Sequence, residues 1–381
     1  MIKTANRLKS VKEYYFSKKL REVAFLKSQG RPIINLGIGS PDLKPPTKAT
    51  ALLKESLEEE GAHKYQSYQG LPELRDEIAN FYKRHYKVSL SGQTEVLPLL
   101  GSKEGIMHIS MAFLNSRDRV LIPNPGYPTY AAVTKLLGAK PLFYDLKEEQ
   151  HWLPDFVALE RLDLSKVKIM WINYPHMPTG ANADNKFYDD VIAFGIRHHI
   201  LIVNDNPYSF VLNENPLSIM RYKNAKEICL ELNSLSKTFN MSGWRVGTLV
   251  GSYEHLSAVL KVKSNMDSGM FYGIQKGAIE ALQSSDMWFQ SLNSVYEERR
   301  KLIWKLADSL NCTYDEHASG MFVWAKLPKR VKSETFTDMV LKDYFIFITP
   351  GTVFGKNGRG YVRFSLCAPE ETIKEAIARI R

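Results

Sequence analysis

One lysine in this chain, Lys237, stands among residues that could hold a phosphate. It follows the apolar run 228–232, which we predict to be a buried strand. Ser234 and Ser236 precede it closely, and Arg245 follows. Hydroxyls and a guanidinium can bind a phosphate, while a lysine amine can form a Schiff base with a carbonyl of the same molecule. Serine and lysine are also ordinary loop residues, so the segment taken alone would better fit a solvated loop.

A second candidate is Asp205, which comes just after the apolar run 200–203. Ligands of open α/β sheets bind at the carboxyl ends of the strands. There Asp205 could keep a pyridine nitrogen protonated, and Tyr208 could donate to a ring hydroxyl. Together with the amine of Lys237 and its phosphate-binding neighbours, these groups match pyridoxal phosphate. Taken alone, the two residues would also fit a solvated aspartate and a packed tyrosine.

A glycine-bounded turn at residues 101–105 is a third candidate, for binding a phosphate. It lies between the predicted strand 96–100 and a run with helical spacing at 106–114. The free N–H groups at the start of a helix attract anions. The spacing matches neither the Walker motif nor the dinucleotide-binding motif, so it gives nucleotide binding little support. A tight strand-to-helix connection would also explain the turn.

The elements that must position these residues indicate an α/β fold. We predict buried strands at 96–100, 119–122, 168–173, 200–204, 228–232 and 247–251. Helical segments between them, such as 187–198, imply crossover connections in a mainly parallel sheet flanked by helices. Apolar residues at 287–310 follow one face of a long helix, and strands and helices alternate in the remaining sequence. The length and the hydrophobic content of 44% predict two domains, the second a smaller α/β domain.

The motifs resemble, in their order along the chain, those of the class I and II aminotransferases, which are pyridoxal-phosphate enzymes of fold type I. The matching segments are 35–42, 65–75, 101–105, 123–130, 173–180, 204–208, 233–247, 349–355 and 360–365. Several of them are similar to the LL-diaminopimelate aminotransferase branch. The resemblance implies a large domain at 46–285 and a small domain formed by 1–45 and 286–381. It also implies a homodimer with shared active sites.

The resemblance implies a role for each matching residue. Lys237 would form the Schiff base and move the substrate's α-proton, while Asp205 would contact the ring nitrogen and Tyr208 the ring hydroxyl. Arg363 would bind the substrate α-carboxylate through its planar fork, beside Gly39. The other residues expected to bind the cofactor are Ser102, Lys103, Tyr127, Asn173, Ser234, Ser236, Arg245 and, from the partner chain, Tyr65.

One position departs from the family pattern. The family usually has an asparagine immediately before Pro-Thr-Gly, where it donates to the ring hydroxyl, but this chain has Met177. A thioether cannot donate a hydrogen bond. Our hypothesis is that Tyr208 makes this contact with less help, which would shift the titration of the cofactor; a harmless variation is the alternative.

The implied reaction moves an amino group from an L-amino acid to a 2-oxo acid. Glutamate and 2-oxoglutarate could form one couple, with diaminopimelate or an aspartate-like substrate in the other. The quoted motifs mostly handle the cofactor, so the amino acid itself stays open. A carbon–sulfur β-lyase would use the same lysine and aspartate, and a non-catalytic sensing domain could share the fold.

Composition limits the remaining classes of function. The net charge is +10, but the lysines are dispersed and no nucleic-acid motif accompanies them. Three scattered cysteines, without metal-ligand spacing, indicate a reducing compartment, the cytoplasm. No apolar run is long enough for a membrane span. We therefore expect no metal, no nucleic acid and no membrane partner.

Overall fold

The computed structural model describes residues 2–380 and contains both strands and helices along most of the chain. The strands are β1 (Ile34–Asn35), β2 (Val96–Leu99), β3 (Arg119–Asn124), β4 (Lys140–Asp145), β5 (Val167–Ile172), β6 (Leu201–Asp205), β7 (Cys229–Ser234), β8 (Gly247–Gly251), β9 (Thr313–Tyr314), β10 (Phe322–Lys326), β11 (Ile346–Phe347), β12 (Thr349–Pro350) and β13 (Tyr361–Ser365). The helices are α1 (Tyr15–Ser28), α2 (Thr47–Glu55), α3 (Pro72–Phe81), α4 (Ser102–Phe113), α5 (Pro128–Leu136), α6 (Phe156–Glu160), α7 (Asn185–His198), α8 (Ala225–Ile228), α9 (Leu235–Thr238), α10 (Tyr253–Lys263), α11 (Tyr272–Leu282), α12 (Asp286–Ser309), α13 (Ser333–Tyr344) and α14 (Glu370–Ile380).

The central sheet has seven strands in the order β2-β8-β7-β6-β5-β3-β4. Within this sheet, as residues 2–380 form it, β8 alone runs opposite to the other strands, because it pairs antiparallel with both β2 and β7. The sheet is therefore mixed and mainly parallel, and the predicted fold class is confirmed. Each predicted strand of this sheet is present, with small differences at its ends.

The inner strands of this sheet are buried on both faces. Every residue of β6, β7 and β8 is buried, as expected for parallel strands covered by helices on each side. Asp205, the last residue of β6, lies opposite Leu232 of β7, and Ile172 of β5 lies opposite Asn204. The carboxyl ends of three neighbouring strands therefore meet at one edge of the sheet.

A smaller antiparallel sheet, ordered β12-β13-β10-β9, is built from the C-terminal part of the chain. The N-terminal segment packs with this part of the chain, since β1 pairs in parallel with β11 in a separate two-stranded sheet and Phe16 packs on Phe354. The long helix α12 packs against α14. Residues from both ends of the chain thus share one apolar core.

None of the helices formed by residues 2–380 combines the length and the apolar character that crossing a membrane requires.

Candidate active site

A cavity of about 590 Å³ lies between the carboxyl edge of the central sheet and strands β10 and β13. Every predicted site residue except Tyr65 lines it. Those that do are Gly39, Ser102, Lys103, Tyr127, Asn173, Asp205, Tyr208, Ser234, Ser236, Lys237, Arg245 and Arg363. The sequence segments that carry these residues are far apart, so the fold brings them together.

Lys237 reaches the cavity from α9, the short helix that directly follows β7. Ser234 begins this helix, since its Oγ accepts a hydrogen bond from the N–H of Ser236 at 3.1 Å. The Nζ of Lys237 donates to the carbonyl oxygen of Gly39 at 2.5 Å. Burial lowers the pKa of Lys237 to about 8, and the nearby guanidinium of Arg363 acts in the same direction. Near neutral pH a larger fraction of such an amine is neutral than of an exposed lysine, and the neutral amine can act as a base or nucleophile.

Asp205 is buried at the end of β6 and uses only part of its hydrogen-bonding capacity. Its Oδ2 accepts a hydrogen bond from the Oη of Tyr130 at 2.7 Å, while its Oδ1 has no partner within residues 2–380. Burial raises the pKa of Asp205 to about 6, and the bond from Tyr130 opposes that rise. Its carbonyl oxygen accepts a hydrogen bond from Asn173, whose Oδ1 accepts from the N–H of Met177. The unpartnered oxygen leaves a place for a donor from a bound molecule.

An anion site is formed by the turn at Gly101 and the start of α4. Gly101 has a φ of +94°, and a Cβ there would lie 2.1 Å from Nη2 of Arg245. Only glycine therefore lets the guanidinium lie against this turn. The first N–H groups of α4, from Ser102 and Lys103, have no acceptor inside the helix and can bind an anion together with Arg245.

The opposite end of the cavity contains a buried arginine without an acidic partner. Arg363, on β13, is 4% exposed, and its guanidinium donates to the carbonyl oxygen of Gly37 at 2.9 Å and to Sδ of Met177 at 3.3 Å. Within residues 2–380, Arg363 forms no ion pair with a carboxylate, and its Nε has no hydrogen-bond partner. Burial lowers the pKa of Arg363 to about 10. An unpaired buried cation is costly, so this site is suited to a ligand carboxylate.

Two tyrosines complete the walls between these ends. Tyr208 is buried and packs edge-on against Phe322, and burial raises the pKa of its hydroxyl, which therefore stays protonated and able to donate. Tyr127 lies edge-on to Tyr130.

Tyr65 is the predicted residue that the chain does not bring to the cavity. Its side chain is 91% exposed, in a surface depression that also includes Ser268 and Phe271. Its expected contact with a cofactor would be made in the site of a second chain, so it stays a prediction.

Several residues of the site were not singled out from the sequence. Tyr130 appeared only as part of a matched motif. Its role depends on a hydrogen bond from α5 to the end of β6, which no local sequence pattern predicts. The sequence also assigned no site role to four aromatic residues of the lining, Tyr14, Phe16, Phe322 and Phe354. Their places in the cavity follow from the pairing of the two chain ends.

Three possible metal ligands, Glu104, His108 and Asp267, lie within 4.8 Å of one another beside α4. The ammonium of Lys263 donates to both oxygens of Asp267 at 2.9 Å. This positive charge already neutralises the aspartate, so the cluster is better described as an ion-pair network that supports α4.

The cavity fits pyridoxal phosphate, which has a phosphate, a ring nitrogen, a ring hydroxyl and an aldehyde. The Gly101 turn with Arg245 suits the phosphate, and the unpartnered Oδ1 of Asp205 suits a protonated ring nitrogen. The amine of Lys237 is available to the aldehyde carbon. Each group of the cofactor thus has a chemical counterpart among these residues.

Comparison with known proteins decides the family. A family model described as aminotransferase class I and II matches residues 31–380. The chain belongs to the class I and II aminotransferases. It is 36% identical to an LL-diaminopimelate aminotransferase of Dehalococcoides mccartyi, over 100% of this chain and 98% of that protein. A protein of the same name from Halothermothrix orenii is 37% identical over 100% of this chain and 98% of its own length.

Solved structures give the same result. The apo structure of BacF from Bacillus subtilis superposes with a TM-score of 0.96 at 35% identity, covering 100% of this chain and 98% of that chain. The aminotransferase is therefore a pyridoxal-phosphate enzyme that transfers amino groups between amino acids and 2-oxo acids. The predictions of family, fold class, cofactor and reaction class are confirmed, and the β-lyase and sensor alternatives are not favoured.

Met177 allows a test of how the cofactor is tuned in this aminotransferase. Replacing Met177 with Asn should add a donor near the ring hydroxyl, stabilise its ionised form and lower the pH at which the cofactor's visible absorption band titrates. Spectrophotometric titration of the wild type and Met177→Asn measures this directly. An unchanged titration midpoint would show that the thioether is a harmless variation.

Proposed function

We propose that this cavity is the active site and that Lys237 both carries the cofactor and moves the substrate's α-proton. The observation that carries this proposal is the meeting of three groups in one cavity: an amine with a lowered pKa, an aspartate with a free oxygen, and a buried arginine without an acid. These are the groups needed to hold an amino acid and take its α-proton.

Pyridoxal phosphate, when bound, supplies an electron sink that stabilises negative charge at the substrate's α-carbon. Its phosphate would be held by the anion site of Ser102, Lys103 and Arg245, helped by Ser234 and Ser236. Tyr208 would donate to the ring hydroxyl, and Tyr127 would cover the ring face. Asn173, which donates to the carbonyl oxygen of Asp205, would also contact the cofactor.

Asp205 acts on the ring nitrogen. An ionised carboxylate at Oδ1 would favour a proton on that nitrogen, because opposite charges at close range stabilise each other in a buried site. Tyr130 fixes the carboxylate through Oδ2, so its other oxygen keeps a constant direction. With pyridoxal phosphate bound, this arrangement would favour a protonated, positively charged ring.

Lys237 moves the proton. Because burial lowers its pKa, the amine of Lys237 would be the group that accepts the α-proton of a bound amino acid and later gives it back. Arg363 meanwhile holds the α-carboxylate with two parallel hydrogen bonds and so fixes which substrate bond faces Nζ.

Exchanging the substrate arginine gives the direct test of this assignment. Arg363→Lys keeps the charge but loses the planar fork, so we expect KM for the amino acid to rise about 10–100-fold with a smaller change in kcat. Steady-state kinetics with glutamate and 2-oxoglutarate measure this. Arg359→Lys, at an exposed arginine of the same segment, is the matched control. An unchanged KM in Arg363→Lys would remove this residue from the substrate site.

Glutamate and 2-oxoglutarate are our candidates for one substrate couple. The names of the relatives favour diaminopimelate, or an aspartate-like compound, as a candidate for the other. Spectroscopic half-reactions with each amino acid, followed by oxo-acid identification, distinguish them.

We further infer a homodimer in which Tyr65 completes the neighbouring site. Its exposure in the single chain supports this inference. A fully active monomer in sedimentation and dilution experiments would contradict it.

The division into a large domain at 46–285 and a small domain of 1–45 with 286–381 is also part of the proposal, and limited proteolysis near residues 46 and 285 tests it.

All three cysteines of the described chain are free thiols, which supports a cytoplasmic location that cell fractionation can check.

A further inference from the structure

We propose that the substrate end of the cavity receives an amino acid with a large apolar or aromatic side chain. This inference rests on the proposed function, because it takes Arg363 as the site of the α-carboxylate. The first side-chain carbon of an amino acid is two bonds from the carboxylate carbon. The side chain must therefore lie close to that guanidinium, and the surroundings of Arg363 decide what it can be.

Aromatic rings surround the guanidinium of Arg363. Its central carbon lies 3.8 Å from the ring centre of Phe322, 4.6 Å from that of Phe354 and 5.4 Å from that of Phe16. Such rings stabilise the cation when no anion is bound, and they present apolar surface to whatever lies beside it. A polar side chain of a substrate packed against these three rings would lose its water without finding a hydrogen-bond partner among them.

Helix α1 extends this apolar surface to the mouth of the cavity. Phe16 and Leu20, one helical turn apart, share the face that lines the cavity, with Ile38 nearby. Leu20 is 42% exposed and so lies at the entrance. The polar residue between them, Ser17, donates its hydroxyl hydrogen to Glu13 and is already engaged. Apart from the hydroxyls of Tyr14 and Ser17, this wall of the cavity is thus apolar from Phe16 to the entrance at Leu20.

The charges of the cavity point in the same direction. Asp205 is the one carboxylate among the described residues that line it, and the proposed function assigns that group to the cofactor. The distal end of diaminopimelate carries an ammonium as well as a carboxylate, and this lining offers no acid to the ammonium. The ammonium of Lys103 lies 4.4 Å from the ring centre of Tyr14 and could receive the distal carboxylate of glutamate. Glutamate and an apolar amino acid can therefore share the site.

The experiment compares amino donors in the half-reaction of the wild-type holoenzyme, followed by the cofactor's absorption. The panel is L-phenylalanine, L-methionine, L-glutamate, L-aspartate, LL-diaminopimelate and L-alanine. We expect kcat/KM for L-phenylalanine to exceed that for L-aspartate and LL-diaminopimelate by about 10-fold or more. A preference for either of these two over L-phenylalanine would overturn the inference. Failure of every donor would instead contradict the proposed function.

Variants of α1 and an inert ligand identify the residues responsible. Leu20→Asp should lower the ratio of kcat/KM for L-phenylalanine to that for L-alanine about 10-fold or more, because it places a carboxylate at the entrance. Phe25→Asp, at a 61% exposed residue outside the lining, should leave the ratio unchanged.

Binding of an unreactive ligand gives a second test. Calorimetry should show that the wild type binds 3-phenylpropanoate about 10-fold more tightly than it binds glutarate, and Leu20→Asp should remove this difference in affinity. Equal binding of the two acids by the wild type would count against an apolar site.

Discussion

Lys237→Ala should lose its multiple-turnover activity, with kcat lower by about 10⁴-fold or more. The variant removes the amine proposed to carry the cofactor and to take the α-proton. The other lysine among the described residues of the lining, Lys103, places its ammonium over the ring of Tyr14. The variant keeps the anion site at Gly101 and the free Oδ1 of Asp205. We therefore expect it to bind the cofactor non-covalently. Steady-state kinetics and absorption spectra measure both effects.

Two controls separate chemistry from folding in that experiment. Lys261→Ala changes an exposed lysine on α10 and should keep full activity. Lys237→Arg keeps a positive charge at the position but cannot bond to the aldehyde, and it should be as inactive as the alanine variant. Substantial multiple-turnover activity in Lys237→Ala would refute the role of this residue.

Asp205→Asn should stabilise the protein without its cofactor while slowing the enzyme that contains it. Burial raises the pKa of Asp205 from 3.8 to about 6, which corresponds to about 3 kcal/mol of destabilisation when the carboxylate is ionised. The folded protein binds this proton more tightly than the unfolded chain does. The stability from the group is therefore complete below pH 3.8 and is lost as the pH rises through 6. Asparagine keeps an acceptor for Tyr130 but avoids the charge.

Urea unfolding of the apoprotein between pH 5 and pH 8 measures the first effect. The stability advantage of Asp205→Asn should grow up to about pH 7 and then stay constant, whereas Asp189→Asn, at an exposed position, should show no such trend. The loss of charge at the ring nitrogen should lower kcat of the holoenzyme about 10²–10³-fold. If the Asp205→Asn apoprotein were less stable than the wild-type apoprotein at pH 8, the claim that the ionised Asp205 carboxylate destabilises the fold would be wrong.

Residues at strand ends could be predicted from the sequence because their surroundings are local. Asp205 and Lys237 each follow a short apolar run, and such runs are strands buried by helices on both sides. In a mainly parallel sheet their carboxyl ends must meet, so their proximity followed from the fold class. The family resemblance added Arg363, whose position depends on a different sheet.

The remaining features depend on contacts between distant segments. Strand β4 was missed because its apolar run, 142–144, is short, follows a proline and lies at the edge of the sheet, where half of the residues of β4 are exposed. Phe16 lines the cavity only because β1 pairs with β11 and brings α1 over β13. The bond from Tyr130 to Asp205 joins residues 75 positions apart. No local pattern encodes such pairings, so the apolar substrate wall became visible only in the structure.

The central claim, that Lys237 carries pyridoxal phosphate in this cavity, is tested most directly by trapping the bond. Reduction of the holoenzyme with borohydride fixes the cofactor to its lysine, and peptide mass spectrometry then locates it. The result expected here is one modified peptide, labelled at Lys237, and no label in Lys237→Ala. A label on another lysine, or an unlabelled Lys237 in active holoenzyme, would contradict the claim.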